Sequence, residues 1–464
     1  MKSGDKLLNM TSLIGGDPTI IAPFVKGIFD VLTTEHILWA VMRGWETLPS
    51  WTRYDIDILV DKKNARRASE IVSEVGVQFG WKTYGVLIQG MMRSVWLLKE
   101  DSNNGQSYLR IDIEIGNEYR GVEIHESQFY LKDRIWDEER KLWYMPKGYA
   151  GAAVLLKQLA VLGEVDTERR RSQVLAGVNE LSFEEIVGSS LKDETLKNKL
   201  LDAIKSENWD EVKRLGGLAK RRLFRWTFRN FWGKIGYGFC FIGRLFNPFM
   251  RCFIVLSGPD GCGKTTVADA ICDRFKGRPF QGLLRIHMLF GVPRMRMFKE
   301  LLWRMVGKRL PPQVEAAPGT KHCGMQPPHS MFKSMMYVTY YGLGMICGRL
   351  KLLLWRPQGG LVLADRFFQD YYYMRGYMKC PKWYVRMMEF FAPTPDLIIS
   401  LERPASDIYS QKPELDIEEI EREQAMIRKY LGKRKQTKIV DASHGVDATI
   451  AAVIKEVESW ISSH

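Results

Sequence analysis

The chain is short of three things: paired cysteines, long apolar runs and, over one stretch, acid. Its seven cysteines (Cys240, Cys252, Cys262, Cys272, Cys323, Cys347 and Cys380) form no Cys-x-x-Cys pair. That pattern argues against a zinc site or a disulfide framework and for reduced thiols in a cytosolic protein. The opening residues MKSGDKLLNMTSLIGG hold no apolar stretch of signal-peptide length, so no secretory leader is expected. The uncharged run from Ser334 to Gly348 is 15 residues long and interrupted by polar and Gly positions. A spanning helix needs roughly 20 apolar residues. There is no internal repeat and no low-complexity tract. Acidic residues are missing between Glu211 and Asp260, whereas Lys213, Arg214, Lys220, Arg221, Arg222, Arg225, Arg229, Lys234, Arg244 and Arg251 all fall there. Most of the net charge of +14 is concentrated in that window.

What is present describes a folded protein of two domains. Hydrophobic residues make up 45% and charged residues 26%, and 464 residues exceed what one core serves. Residues 1–147 mix short helical patterns with the strand-like runs YDIDILV (54–60), SVWLLK (94–99) and YLRIDIEIG (108–116), the last alternating at period two. Residues 148–215 read as a helical appendage to this α+β domain, and 216–250 as a basic aromatic connector. From 251 to 464, continuous apolar runs (252–257, 283–288, 361–365, 397–402 and 437–442) alternate with helical patterns. This predicts an α/β domain with a doubly wound parallel sheet covered on both faces.

The stretch VLSGPDGCGKTT carries the strongest chemistry. Gly258, Gly263, Lys264 and Thr265 satisfy Gly-x-x-x-x-Gly-Lys-Thr, after an apolar strand and before a helical pattern. The glycines, Gly261 included, let the backbone turn its N–H groups toward phosphates. Lys264 is placed to reach the β- and γ-phosphates, Thr265 to ligate Mg2+, and Thr266 to extend the helix N-terminus. Binding of ATP or GTP follows, with ATP and Mg2+ as the expected cofactors.

Over about 250–460 the chain resembles the thymidylate kinase family. The resemblance rests on GPDGCGKTT, on LVLADRFFQDYY with its Asp365–Arg366 pair, on PDLIISLE, on the segment to KPELDIEEIEREQ, and on the terminal VDAS. It implies that Asp260 and Asp365 lie near Mg2+ and the accepting oxygen, that Arg366 neutralises the transferred phosphoryl group, and that Lys412 and Arg422 are lid cations over ATP. The plainer alternatives are a helix cap and surface salt bridge for Asp365 and Arg366, and a solvated face for Lys412 and Arg422. The chain departs from the family in its acceptor region: PPHSMFKSMMYVTYYGLGMICGRLKLLLW lacks the usual nucleobase pattern, and RLPPQVEAAPGTKHCGMQPPH is unlike the usual loop. Arg285, His287, His322 and His329 are candidates for an altered acceptor pocket.

In the first domain MRGWETLPSWTRYDIDILVD resembles the nucleotidyltransferase superfamily, with Gly44 in the turn, Asp55 and Asp57 on a strand and Asp112 on a later one. Carboxylates at i and i+2 of a strand share a face and can share a divalent cation. The alternative is the solvent side of a half-buried strand. Active members usually have Ser after the Gly; here Trp45 follows. An active transferase and a degenerate one that only binds the acceptor both fit. The tandem order resembles fusion proteins of bacterial surface-polysaccharide biosynthesis.

Phe224, Phe228, Phe231, Ile235, Phe239, Ile242 and Phe246 recur every three or four residues in the connector. The stripe is expected to be core, packed on the sheet of the second domain, or to contact an anionic membrane through 221–246. No nucleic-acid motif accompanies it, and no nucleic-acid partner is expected. The function expected is a Mg·ATP-dependent kinase, cytoplasmic or peripheral to the inner face of the membrane, that phosphorylates a sugar, glycan end or phosphorylated intermediate. A thymidylate kinase and a nucleotide-gated assembly module without turnover are the alternatives.

Overall fold

The structure, a computed structural model, describes residues 18–50, 55–101, 105–119, 121–224, 228–246, 251–275, 279–280, 282–286, 327–355 and 360–463. His287 and His322 lie outside the described residues. The chain divides into two compact units, Met1–Phe246 and Asn247–His464.

The strands of the first unit are β1 (Trp39–Val41), β2 (Asp55–Val60), β3 (Lys82–Gln89), β4 (Met92–Asp101), β5 (Gly105–Glu114), β6 (Gly116–Tyr119), β7 (Val122–Glu126), β8 (Ile135–Asp137) and β9 (Leu142–Tyr144). Seven of them form one mixed sheet in the order β3-β4-β5-β2-β1-β9-β8, while β6 and β7 make a separate hairpin. Its helices are α1 (Pro18–Thr34), α2 (Ala65–Gln78), α3 (Ser127–Leu131), α4 (Lys147–Val161), α5 (Glu168–Gly177), α6 (Leu181–Leu191), α7 (Glu194–Lys205), α8 (Trp209–Leu223) and α9 (Phe228–Phe246). The period-two alternation of DIDILV sends Ile56, Ile58 and Val60 into a core shared with α1 and α2. The other face holds Leu59 in a second core with α4 to α8. Both faces of the sheet are therefore covered. Local chemistry sets the helix starts: Asp193 accepts from the Leu196 N–H at 3.1 Å to begin α7, and Asn208 accepts from the Glu211 N–H at 3.1 Å to begin α8.

The connector is helical over Phe228–Phe246. Helix α9 belongs to the first unit, where it packs on β3 and β7. Contact is made through glycine: a Cβ on Gly233 would stand 2.0 Å from the carbonyl oxygen of Gly121. At 100° per residue the phenylalanine stripe falls opposite Gly233. Accordingly Phe231, Phe239 and Ile242 are 42%, 68% and 48% exposed. Among the described residues no helix is long and apolar enough to cross a membrane.

The second unit is an α/β domain. It contains β10 (Cys252–Ser257), β11 (Gly282–Ile286), β12 (Gly360–Ala364), β13 (Leu397–Glu402) and β14 (Thr437–Asp441), with α10 (Lys264–Phe275), α11 (Met331–Trp355), α12 (Lys382–Glu389), α13 (Ala405–Gln411), α14 (Ile417–Tyr430) and α15 (Val446–Ser463). The sheet order is β11-β12-β10-β13-β14 and every pair is parallel. All residues of β10 and β12 are buried, which is why these strands read as unbroken apolar runs. The first strand lies at the centre, so the chain reverses winding beside it. In such sheets the crevice at the C-terminal ends of the strands is where ligands bind.

Candidate functional site

The loop between β10 and α10 occupies that crevice. Gly258 has φ +146°, and a Cβ there would lie 2.7 Å from Cys262 Sγ and 3.0 Å from the Leu401 carbonyl oxygen, so only glycine lets the loop pass β13. Gly261 and Gly263 also have left-handed φ values, +91° and +97°. Lys264 begins α10, is 8% exposed, and donates from Nζ to the carbonyl oxygens of Gly258 (2.8 Å) and Pro259 (2.7 Å). Its ammonium also lies 3.4 Å from Asp260 Oδ1. Thr265 and Thr266 are exposed on the first turn of α10.

Neighbouring parallel strands bring the remaining groups to the same edge. Asp365 and Arg366 follow β12, which pairs with β10 in the register Val255 to Ala364. Arg366 Nη2 donates to Asp260 Oδ1. Asp365 meets Arg285 at 3.3 Å, and Arg285 also pairs with Asp269 on α10. Burial alone would raise the Asp260 pKa, yet Lys264 and Arg366 hold it below the ordinary carboxylate value. Mg2+ takes hard oxygen ligands, and the Thr265 hydroxyl with the Asp260 and Asp365 carboxylates is a donor set of that kind.

The two expected lid cations have different surroundings. Lys412 is half exposed and 3.1 Å from Glu414, and its Cβ is 3.1 Å from where a Cβ on Gly261 would stand, so its backbone abuts the loop. Arg422 is held instead by Glu419 at 2.6 Å and by the Tyr373 carbonyl at 2.7 Å. Arg375 shares Glu419 at 3.0 Å. An arginine clamped in this way must exchange partners before it can close over a phosphate.

Sequence reasoning missed a buried acidic group beneath the loop. Asp370 accepts from the Tyr373 hydroxyl at 2.6 Å, and that hydroxyl lies 3.4 Å from Ser257 Oγ. Burial pushes the Asp370 carboxyl up to about 6 against the pull of Tyr373 and Arg366. Glu423 is pushed up to about 8, again by burial, with Arg422 opposing and Asp260 and Glu419 adding to the rise. The only signal in the chain was an acid inside the aromatic run FFQDYYY. A carboxyl whose folded pKa is raised binds its proton more tightly in the native state, so stability declines as pH rises from the unfolded value to the folded one. For Glu423 that window runs from 4.5 to about 8. Glu423→Gln is expected to melt higher than the parent at the alkaline end and to show a flatter melting temperature across the window. Parallel profiles for the two proteins would show that Glu423 is not buried as a carboxyl.

Beside the loop, the ends of β13 and β14 with α14 border an open pocket of about 450 Å³ whose lining includes Glu402, Arg403, Gln424, Arg428, Asp441 and Ser443. Gln424 fixes its wall by donating to the Arg403 carbonyl at 2.7 Å, and Arg428 grips Glu402 at 2.7 Å. Farther along the domain, His329, Tyr337, Tyr341 and Tyr371 are stacked in series with interplanar angles of 21°, 18° and 16°. Tyr377 stands edge-on to Tyr371 with ring centroids 4.6 Å apart.

In the first unit the structure brings Asp55, Asp57 and Asp112 together, with ligand atoms within 4.8 Å of one another. Parallel pairing of β2 with β5 sets Asp55 beside Arg110 and Asp57 beside Asp112. Asp57 and Asp112 are 4% and 3% exposed on the face covered by the helical bundle. Burial pushes the Asp112 carboxyl to about 7, with Arg110 opposing. For Asp57 burial is outweighed by Arg43, 2.5 Å away, and its pKa falls. Gly44 is left-handed at φ +67°, and Trp45 after it stacks on Tyr144 with centroids 3.8 Å apart. Arg110 Nη2 contacts both Asp55 and Asp112.

No protein-family model and no curated protein matches the chain. Among solved structures it is similar to a thymidylate kinase from Ehrlichia chaffeensis, 15% identical with a TM-score of 0.29, over 45% of this chain and 99% of that one. It is also similar to a thymidylate kinase from Candida albicans, 13% identical with a TM-score of 0.31, over 45% of this chain and 92% of that one.

Proposed function

We propose that the chain is a Mg·ATP-dependent phosphotransferase whose acceptor is a sugar, a glycan end or a phosphorylated intermediate of a bacterial surface polysaccharide. The observation that carries the proposal is the convergence of Lys264, Asp260, Arg366 and Asp365 at the C-terminal edge of β10 and β12. Phosphoryl transfer asks the protein for positioning and charge neutralisation more than for covalent chemistry. Backbone N–H groups of the loop and the N-terminus of α10 bind the triphosphate, Lys264 neutralises its β- and γ-oxygens, and Arg366 faces the group in flight. Asp365 takes the proton of the accepting hydroxyl when the acceptor is neutral. Thr265 with Asp260 and Asp365 would hold Mg2+, which would supply charge neutralisation to the triphosphate. The departure of the acceptor region from the thymidylate kinase pattern favours a sugar over a nucleobase.

The exposed Phe231, Phe239 and Ile242, in a window without acid, support contact with an anionic lipid surface, which suits a lipid-linked glycan. The test is ADP release by purified protein with Mg·ATP, comparing thymidine monophosphate with sugar, sugar-phosphate and lipid-linked glycan acceptors, with Lys264→Ala as the blank. Lys264-dependent stimulation by a glycan class is expected. Efficient use of thymidine monophosphate with no response to glycans would establish a nucleotide kinase instead. Vesicles of phosphatidylglycerol are expected to pellet the parent and not Phe239→Ser/Ile242→Ser; equal pelleting of both would remove the membrane from the proposal.

A further inference from the structure

The acidic cluster of the first unit looks built for a divalent cation and is already filled by the chain itself. Arg110 precedes Asp112 by two residues on β5, so both side chains lie on one face of the sheet. Its register partner on β2 is Asp55. From that position Nη2 reaches Asp55 and, at 3.1 Å, Asp112 Oδ2, spanning the gap that a shared cation would occupy. The guanidinium is braced from behind by the Trp96 ring, 5.2 Å away. Arg43 donates to the third carboxylate, Asp57, at 2.5 Å. Two fixed positive charges against three carboxylates leave one net negative charge, too little to draw a doubly charged ion out of water. Asp112 Oδ1 is buried without a hydrogen-bond partner, while its other oxygen is taken by Arg110. The phosphate side of the pattern is closed as well. Where a small hydroxyl residue would cradle phosphate, Trp45 lies against Tyr144, and Arg140 lies 6.0 Å over the Trp45 ring.

We propose that Arg110 and Arg43 take the place of the divalent cation in the first unit, so that this unit binds no catalytic metal. The proposal goes beyond the kinase reading of the second unit, and its test uses no phosphotransfer. Mn2+ is titrated into the full-length protein without nucleotide and followed by electron paramagnetic resonance. The parent is expected to show no bound Mn2+ that depends on Asp57 or Asp112. Arg110→Met is expected to gain one Mn2+, at least roughly tenfold tighter than any in the parent, and Asp57→Asn in that background to abolish it. A Mn2+ site in the parent that disappears in Asp112→Asn overturns the proposal. So does an Arg110→Met protein with the parent's circular dichroism and no gain of Mn2+. Should Arg110→Met not fold, Arg43→Met replaces it with the same expectation, and the parent titration still decides.

Discussion

Lys264→Ala is expected to lower Mg·ATP turnover at least a hundredfold while leaving the fold intact. Removal of one preorganised donor to a developing oxyanion costs roughly 10²–10³ in kcat, and here the donor carries a full charge. The ammonium is stored on the carbonyl oxygens of Gly258 and Pro259, at 2.8 and 2.7 Å, within a single loop. It therefore needs only a side-chain swing to reach a triphosphate. Truncation strands the carbonyls of Gly258 and Pro259, both buried residues, so a stability loss of about 1–3 kcal/mol is expected beside the loss of turnover. The checks are steady-state ADP release and nucleotide binding by calorimetry. Turnover equal to that of the parent would mean that the loop holds no reacting phosphate, and the kinase proposal would fall with it.

The same interactions show what could be read from the chain and what could not. The three central strands of the second unit, β10, β12 and β13, were visible because a parallel strand buried on both faces is an unbroken apolar run, as CFIVLS is. In the first unit β1, β8 and β9 have three residues each, too few for any period to declare itself. Lys264 was legible because its partners are contiguous: the loop is one motif. Asp370, Tyr373, Glu419 and Glu423 were not, since the pairs that matter join a turn after β12 to a helix some fifty residues on. The spacing of the phenylalanines in α9 gave a stripe but not the direction it faces. That direction was decided by Gly233 meeting Gly121, two glycines with no relation in sequence. The arginine in the acidic cluster, by contrast, was in plain view. In RIDIE the alternation that placed Asp112 on the face of Asp57 also placed Arg110 there.

Arg366 is where charge, position and chemistry can be separated. It bonds to Asp260, and Asp260 also faces Lys264, so one carboxylate holds both cations of the site. Such an arrangement keeps two positive groups close together before any phosphate arrives. Triphosphate oxygens would compete for both cations and free the Asp260 carboxylate from them. Arg366→Met keeps much of the volume and removes the fork. It is expected to lower kcat by roughly 10³, the bottom of the range for an arginine that stabilises phosphoryl transfer, with the Kd for ATP changed less than about fivefold. Arg366→Lys should recover little, because a point charge cannot span two phosphoryl oxygens. A fall in ATP affinity as large as the fall in kcat would instead make Arg366 a prop for Asp260 and the loop. The transferred group would then have to be neutralised from elsewhere on the same edge, where Arg285, 3.3 Å from Asp365, is the nearest alternative.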